Sequence, residues 1–409
     1  MNGKARSVVI IGAGHAGGTA AALLRQLGWD EPITLIGEEH VPPYQRPPLS
    51  KAWLKGEADS ESLMLKPASF YDSAGIELLL ETRVAAIRRS PREVVLADGA
   101  VIAYRDLIIA TGARARTLPI AGAELSGILS LRSAADAEAL KSALGPGRRL
   151  AVIGGGYIGL EVAASARKLG AQVVVIERET NILARVSREP LSGFITRYHA
   201  ERGVVFEVAA SVEGFEGHGG EVRGVRLGDG RVIACDVVLI GVGLARNDEL
   251  AQEAGLECIG GIVVDEQART ADPNVYAIGD VTHRPVAQYG RMFWLESVAN
   301  ALEQARQAAN AIVGRPPLPA EVTWNWSDQY DLKLQFAGLP FDADRVLVRG
   351  EAESGRFALF HLKGDVIQAL EAVNAPAEFM GGKQLIGQKR PIAPSRLADP
   401  AISMKEVAA

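Results

Sequence analysis

The chain has 409 residues, with 44 Lys and Arg against 49 Asp and Glu and a formal net charge of −5 at pH 7, a balance that argues against a nucleic-acid protein, whose footprint is basic. Its two cysteines, Cys235 and Cys258, lie far apart, so they make no disulfide framework, metal quartet or C-x-x-C redox pair, and each is expected to be a small buried apolar residue. No apolar run is long enough to span a bilayer, and a strand begins so early that no signal peptide is expected; the reading is a soluble, cytoplasmic protein of two or three domains.

Residues 8–11 form a continuous apolar run, the pattern of a parallel strand buried on both faces. Gly12, Gly14 and Gly17 follow, then an Ala- and Leu-rich helix over 16–27 and a second apolar strand over 33–36. Strand, glycine turn, helix and strand together make a dinucleotide fingerprint. The first glycine allows a tight turn, the second lets backbone approach a pyrophosphate, and the third lets the helix pack on the strand. The helix N-terminus offers free N–H groups and partial positive charge to phosphate. The acid expected after the second strand is Glu38 or Glu39, and spacing does not choose between them.

The segment 42–51, PPYQRPPLSK, is expected to be stiff and extended. Arg46 and Lys51 on it suit the wall of a cofactor's diphosphate and ring; an ordinary proline-rich surface loop is the equal alternative. Strands are expected over 76–81 and 84–87, and a hairpin over 93–104 that turns at Asp98-Gly99. A buried strand over 106–112, DLIIATG, ends in Thr111-Gly112, where backbone can come close to a ligand. Residues 116–119 are the expected hinge out of this first unit.

A capped helix over 133–144 leads to a second and fuller fingerprint, residues 150–177, LAVIGGGYIGLEVAASARKLGAQVVVIE. Gly154, Gly156 and Gly159 take the three glycine roles, and Glu177 ends the second strand, placed to accept from the adenosine ribose hydroxyls. A helical pattern to about 202 comes next, then strands over 204–208, 221–227 and 231–234 with an Asp229-Gly230 turn. The run 236–243, DVVLIGVG, matches DLIIATG in place and style. The chain thus carries the same plan twice, which suggests two nucleotides held so that something passes between them.

The strand 275–278 delivers Gly279-Asp280 at its carboxyl end, the edge at which open α/β sheets bind ligands; Asp280 can accept from ribityl or ribose hydroxyls. A helix over 297–313 and a linker over 314–319 lead to a third segment from about 321. Strands over 332–337, 345–349, 357–362 and 366–373, with a helix from 377, predict an antiparallel α+β domain. Trp324 and Trp326 at its start read either as core or as cover for a flat ring.

Two dinucleotides, with no cluster of metal ligands and no catalytic triad, point to redox chemistry by cofactors. Hydride passes readily from a nicotinamide to a flavin. With no paired cysteines there is no thiol relay, so electrons must leave a flavin directly for an external acceptor.

IIGAGHAG, PYQRPPLSK, LIIATGARARTLP, VIGGGYIGLEVAA, YAIGD, LESVANALEQA and WSDQYDLKLQ give the chain, over nearly its whole length, a specific resemblance. It resembles the NADH-dependent, FAD-containing ferredoxin reductases that serve bacterial aromatic dioxygenases and haem monooxygenases, relatives of putidaredoxin reductase and rubredoxin reductase. PPLSK and WSDQYDLKLQ are the narrow motifs; single glycine motifs are common to many flavoproteins. The resemblance implies an α/β fold with two Rossmann-like domains, arranged as in glutathione reductase, plus the C-terminal α+β domain. Its implied boundaries are 1–116 and 245–319 for FAD, 117–244 for NADH, and 320–409 for the C-terminal domain.

By resemblance the first fingerprint and Asp280 hold FAD, and the second fingerprint holds NADH. Arg46 and Lys51 lie at the flavin side, with Thr111 near the isoalloxazine. Lys51 and Glu161 are the implied catalytic pair, near flavin N5 and the nicotinamide carboxamide; a helix-terminal carboxylate is the plainer reading of Glu161. Tyr157 sits by the nicotinamide. Glu296, Ser297 and Val298 approach the flavin ring, with Trp326 beside it. The implied cofactor-binding set also takes in Val84, Gly112, Arg116, Ile158, Arg185, Gly241, Gly243 and Gly279.

The implied partner is an acidic 2Fe–2S ferredoxin that docks transiently, on a monomer or homodimer, without nucleic acid or membrane. A basic docking patch is then expected among Arg46, Arg291, Arg315, Lys333, Lys383, Lys389 and Arg390. Asn325, where relatives often carry an aromatic, and Phe293-Trp294 depart from the family pattern and bear on docking. Glu177, reinforced by Glu179, is expected to repel the 2′-phosphate of NADPH. The rival reading is a flavoenzyme that delivers electrons to rubredoxin, a quinone or oxygen.

Overall fold

Val8–Ile11 pairs in parallel with Ile33–Ile36 on one side and Asp106–Ile109 on the other, and all three strands are buried throughout. Such strands need apolar side chains on both faces, which these runs supply apart from the buried polar residues Thr34 and Asp106. Val275–Ala277 and Ile76–Leu79 complete a five-stranded sheet. The computed structural model describes residues 7–184, 187 and 189–408. Helices His15–Gln26 and Val298–Ile312 meet over this sheet through Ala20, Ala21, Ala301, Ala305 and Ala308, small residues that let the helices approach closely. The hairpin strands Val84–Arg88, Glu93–Leu96 and Val101–Ala103 form a three-stranded sheet, with Val84, Ile87, Val94 and Leu96 in a second apolar cluster.

The second fingerprint repeats the plan. Arg149–Ile153 lies between Gln172–Ile176 and Val237–Ile240, with Val204–Glu207 and Ile128–Leu129 outside them, all parallel. Ser133 caps helix Ala134–Ala143 through a reciprocal capping box with Asp136. Among the strands here not expected from the sequence are Ile128–Leu129 and Val212–His218, the latter pairing with Glu221–Leu227. Its glycines lower strand propensity, yet a Cβ on Gly217 would stand 2.9 Å from the backbone Glu221 O as well as 2.6 Å from Leu125 Cδ2, so close packing favours the residue that propensity disfavours.

The last sheet has the order Trp324–Gln329, Leu332–Gly338, Val366–Val373, Arg356–Lys363, Arg345–Glu351. Helix Pro376–Gln388 crosses it closely at Gly382, where a Cβ would lie 2.3 Å from Leu370 Cδ2. The expected α+β segment is present, and its tryptophan stretch is a strand. The chain divides into two compact units: one of residues up to Gln45 with Ser60–Arg114 and Arg246–Asn325, the other of Arg46–Asp59, Ala115–Ala245 and Trp326–Ala409. In the second unit, Leu160, Ile182 and Phe194 share one apolar cluster with Leu332, Phe357 and Leu359 of the last sheet.

Two local expectations need correction. The proline segment is not extended throughout: Pro47–Ser50 is a 3₁₀ turn, where prolines at the first positions lose no hydrogen bond because those N–H groups have no partner anyway. Cys235 is buried as expected, but Cys258 is only half-buried.

Candidate functional site

The first glycine turn is sterically obligatory. Gly12 has φ +110°, and a Cβ on it would stand 2.2 Å from Ala110 O. A Cβ on Gly17 would stand 2.0 Å from Gly12 O, so this helix can seat on its strand only with glycine there. The second turn repeats the geometry. Gly154 has φ +103° and would put a Cβ 2.5 Å from Gly241 O, while Gly159 would put one 2.3 Å from Gly154 O. A Cβ on Gly156, by contrast, meets nothing within 4 Å. Gly14 and Gly156 are the N-caps of their helices, and neither helix has a side-chain cap or an acidic residue in its first turn. An open glycine cradle against an uncapped helix N-terminus is what a diphosphate requires, so both loops fit a dinucleotide.

The acids differ between the two units. Gly12 N donates to Ile36 O at 2.8 Å and Gly154 N to Ile176 O at 2.9 Å, which makes Gly37 the counterpart of Glu177. Gly37 packs on Ala13, where a Cβ would lie 2.5 Å from that of Ala13. Glu177 instead accepts from Gly155 N at 2.8 Å and from Glu179 N at 2.9 Å, so it braces its own glycine loop while keeping lone pairs for a ligand. Of the two candidates in the first unit, Glu38 is exposed and pairs loosely with Arg83 at 3.8 Å. Glu39 is half-buried, and its Oε2 accepts from Tyr44 Oη at 2.6 Å.

Gly279 has φ +82° and opens a 3₁₀ turn, Gly279–Val281, that carries the half-buried Asp280. The turn is held by Gln304, whose Oε1 accepts from Gly279 N and Thr282 Oγ1, each at 2.9 Å. Sequence reading missed Gln304; its only signal was a glutamine on the alanine face of LESVANALEQA. Ser297 caps the helix that starts at Val298, accepting from Asn300 N at 3.1 Å, and Glu296 pairs with Arg246 at 3.0 Å. Thr111 Oγ1 donates to Asn247 O at 2.6 Å, beside Gly112 with φ +64°. Arg116 is exposed, with Nε donating to Leu244 O, and Gly243 O accepts from its backbone N–H. Ile158 is exposed in the first turn of its helix, whereas the side chain of Val84 belongs to an apolar cluster. Trp326 is half-buried on the strand face opposite the buried Ser327 and Gln329. Arg185 lies outside the described residues.

The strongest local electrostatics are at Glu161. It sits beyond the first turn of helix Tyr157–Lys168 and is 4 % exposed, so the reading of a surface carboxylate attracted by the helix dipole does not hold. The turn Pro47–Ser50 brings two donors to it: Ser50 Oγ at 2.5 Å and Lys51 Nζ at 2.6 Å, both to Oε2. Ser327 Oγ donates to Oε1 at 2.7 Å. Ser165 Oγ donates to Ser50 O at 2.7 Å and fixes the turn. A buried carboxylate is tolerable only with such partners. Tyr157 packs against Phe336, with ring centroids 4.9 Å apart and ring planes tilted by 47°. Burial raises its phenol pKa well above the usual value, and the Glu371 and Glu161 carboxylates push the same way.

His199, fully buried, donates from Nε2 to Gln329 Oε1 at 2.9 Å. Burial lowers its pKa to about 4, against the hydrogen bond it donates to Gln329, which raises it, and Arg202 lowers it further. Unfolding therefore takes up a proton between pH 6.5 and 4, and stability falls as pH falls through that window. The contribution is about 3 kcal/mol. We expect the stability advantage of wild type over His199→Leu to shrink by about that much between pH 7 and pH 4, read from denaturant unfolding at each pH.

The expected docking cations are dispersed in environment. Arg46 Nη1 donates to Arg132 O at 2.5 Å and Arg315 Nη2 to Leu27 O at 3.4 Å. Arg291, Lys333, Lys389 and Arg390 are exposed, and Lys383 is half-buried.

Residues 6–305 match the model of the pyridine nucleotide-disulphide oxidoreductase family, and residues 324–408 match a reductase C-terminal domain. A protein named "Probable ferredoxin reductase" from Castellaniella defragrans is 49% identical over 409 residues, all of both chains. Putidaredoxin reductase of Pseudomonas putida is 41% identical, with 98% of this chain and 97% of that one covered. This chain is a ferredoxin reductase of the pyridine nucleotide-disulphide oxidoreductase family. The structure of the reductase in a covalent putidaredoxin reductase–putidaredoxin complex superposes with a TM-score of 0.96 at 41% identity, over 98% of each chain. That of the ferredoxin reductase for the CYP199A2 system of Rhodopseudomonas palustris does so with a TM-score of 0.95 at 38% identity, over 99% of this chain and 100% of that one.

The family's description includes a disulphide, but in this ferredoxin reductase Cys235 and Cys258 are both free. Burial pushes the thiol pKa of Cys235 and of Cys258 to about 11, and neighbouring carboxylates add to both. At neutral pH such a shift favours the thiol over the thiolate. Among the described residues no helix is long and apolar enough to cross a membrane.

Proposed function

We propose that the chain takes hydride from NADH onto FAD and passes electrons singly to a 2Fe–2S ferredoxin that serves an oxygenase, working in the cytoplasm where NADH is supplied. The observation that carries this is the pair of complete glycine cradles in a chain whose two cysteines are both free and form no C-x-x-C pair. FAD, when bound, supplies the conversion between a two-electron donor and a one-electron acceptor. The chain's own work is to bind, orient and exclude water. That one similar reductase has been captured joined to putidaredoxin supports a ferredoxin as the acceptor here.

In this reading residues 1–116 and 245–319 hold FAD, 117–244 hold NADH, and 320–409 form the C-terminal domain. Gly12, Gly14 and Gly17 admit the FAD diphosphate, and Asp280 accepts from ribityl hydroxyls. Glu39 serves the adenosine ribose better than Glu38, because it is half-buried and braced by Tyr44. Gly154, Gly156 and Gly159 admit the NADH diphosphate. Glu177, already fixed by two backbone N–H groups, cannot swing away from a 2′-phosphate. Lys51 and Glu161 act where nicotinamide and flavin meet.

The test is NADH-driven cytochrome c reduction with and without added 2Fe–2S ferredoxin. Strong dependence on ferredoxin is expected, with kcat/KM for NADPH about 10²-fold or more below that for NADH, since a like-charge contact costs several kcal/mol. A flavin that NADH reduces but that passes nothing through ferredoxin would move the function to rubredoxin, a quinone or oxygen. Equal use of NADPH would remove the role given to Glu177.

A further inference from the structure

From Glu161 a line of hydrogen bonds runs away from the glycine loop into the interior. Ser327 Oγ donates to Glu161 Oε1 at 2.7 Å, Gln329 Nε2 donates to Ser327 Oγ at 3.1 Å, and Gln329 Oε1 meets His199 Nε2 at 2.9 Å. Ser327, Gln329 and His199 are 0% exposed. They come from two elements outside the glutamate's own helix: strand Trp324–Gln329 and helix Leu191–Ala200.

The direction of every bond follows from the first. A carboxylate only accepts, so the Ser327 hydroxyl hydrogen points at Glu161. The serine oxygen must then accept, which turns the Gln329 NH₂ toward it and the amide oxygen toward His199. That oxygen needs a donor, so His199 carries its proton on Nε2. The surroundings agree. Nδ1 has no hydrogen-bond partner among the described residues, and the rings of Tyr330 and Phe206 lie edge-on, 4.9 and 6.2 Å away. Arg202, the charged group that bears on the ring, also favours the neutral form.

We propose that Ser327, Gln329 and His199 are positioning residues for the Lys51–Glu161 pair, a lock that holds Oε1 so that Oε2 faces Lys51 and Ser50. This rests on the reading that the pair acts at the nicotinamide–flavin junction. The line is not a proton wire, because a neutral amide neither takes up nor releases a proton readily. What it transmits is orientation. Ser and Gln of WSDQY thereby have a task distinct from that of the adjacent Trp326.

Two measurements decide it. The first reads the lock without turnover: ring-nitrogen NMR of the flavin-bound protein labelled at histidine, of which the chain has six. His199 is expected as the neutral Nε2–H tautomer, unchanged from pH 8 to pH 5, and its Nε2 signal shifts in Glu161→Gln and in Ser327→Ala. A signal from the Nδ1–H tautomer, or one indifferent to both substitutions, overturns the proposal. The second is single-turnover flavin reduction by NADH. Ser327→Ala and Gln329→Leu are expected to lower the limiting rate about tenfold with KM for NADH changed less than about twofold, as misorientation of a reacting group does. Unchanged rates in both folded variants overturn the positioning role, whereas an unchanged rate in Lys51→Met overturns the reading of the pair and leaves the NMR result to judge the lock.

Discussion

Lys51→Met will slow reduction of the bound flavin by NADH about 10²–10³-fold, the loss typical of removing one preorganised electrostatic partner. Flavin content should stay at the wild-type level, because the substitution leaves both glycine cradles intact. Lys51 Nζ lies 2.6 Å from Glu161 Oε2, and the glutamate side chain is 5% exposed. Without the cation, two hydroxyls from Ser50 and Ser327 remain on a buried carboxylate. Breaking such a pair from one side costs about 3–5 kcal/mol, whereas replacing both partners by apolar groups is often neutral. The double variant Lys51→Met/Glu161→Leu should therefore melt above the single variant and still reduce flavin slowly. Anaerobic stopped-flow bleaching of the flavin and thermal melts separate the two effects. A single variant with wild-type kinetics would remove the pair from the reaction.

Gly12→Ala and Gly154→Ala should fail in opposite ways. At Gly12 a Cβ would lie 2.2 Å from Ala110 O at φ +110°; at Gly154 it would lie 2.5 Å from Gly241 O at φ +103°. Backbone strain of this kind costs about 1–3 kcal/mol before the clash is counted. That corresponds to roughly 10–10²-fold in affinity for whatever each loop holds. Gly12→Ala is expected to purify largely colourless. Gly154→Ala should keep its flavin, remain reducible by dithionite and lose rapid reduction by NADH. If Gly154→Ala loses the flavin and Gly12→Ala keeps it, the two cofactors are assigned to the wrong loops.

The glycine turns, the buried parallel strands and the repeated plan were legible in the amino acids because their causes are local. A positive φ demands glycine, a doubly covered strand demands an apolar run, and a diphosphate demands a bare helix N-terminus. The C-terminal strands were legible for a similar reason, their runs of apolar residues. The acid of the first unit was not, because the choice between Glu38 and Glu39 depends on Gly37 packing against Ala13 and on Tyr44 reaching back to Glu39. The strand Val212–His218 was hidden because its glycines pack against residues outside the strand, Gly214 against Arg226 and Ala121, and Gly217 against Leu125.

The chemistry shows the same division. Lys51 and Glu161 were named through resemblance, but nothing in either local stretch reveals that Ser50 and Ser327 complete the carboxylate's partners. Those contacts join positions 111 and 166 residues apart. Gln304 beneath Gly279 and His199 beneath Gln329 are likewise polar residues within ordinary helical patterns. A buried polar side chain is defined by its partners, and partners brought together from distant segments leave no periodic trace in the chain. The amino-acid order specifies where a nucleotide can lie; folding across long separations specifies how the groups around it are held.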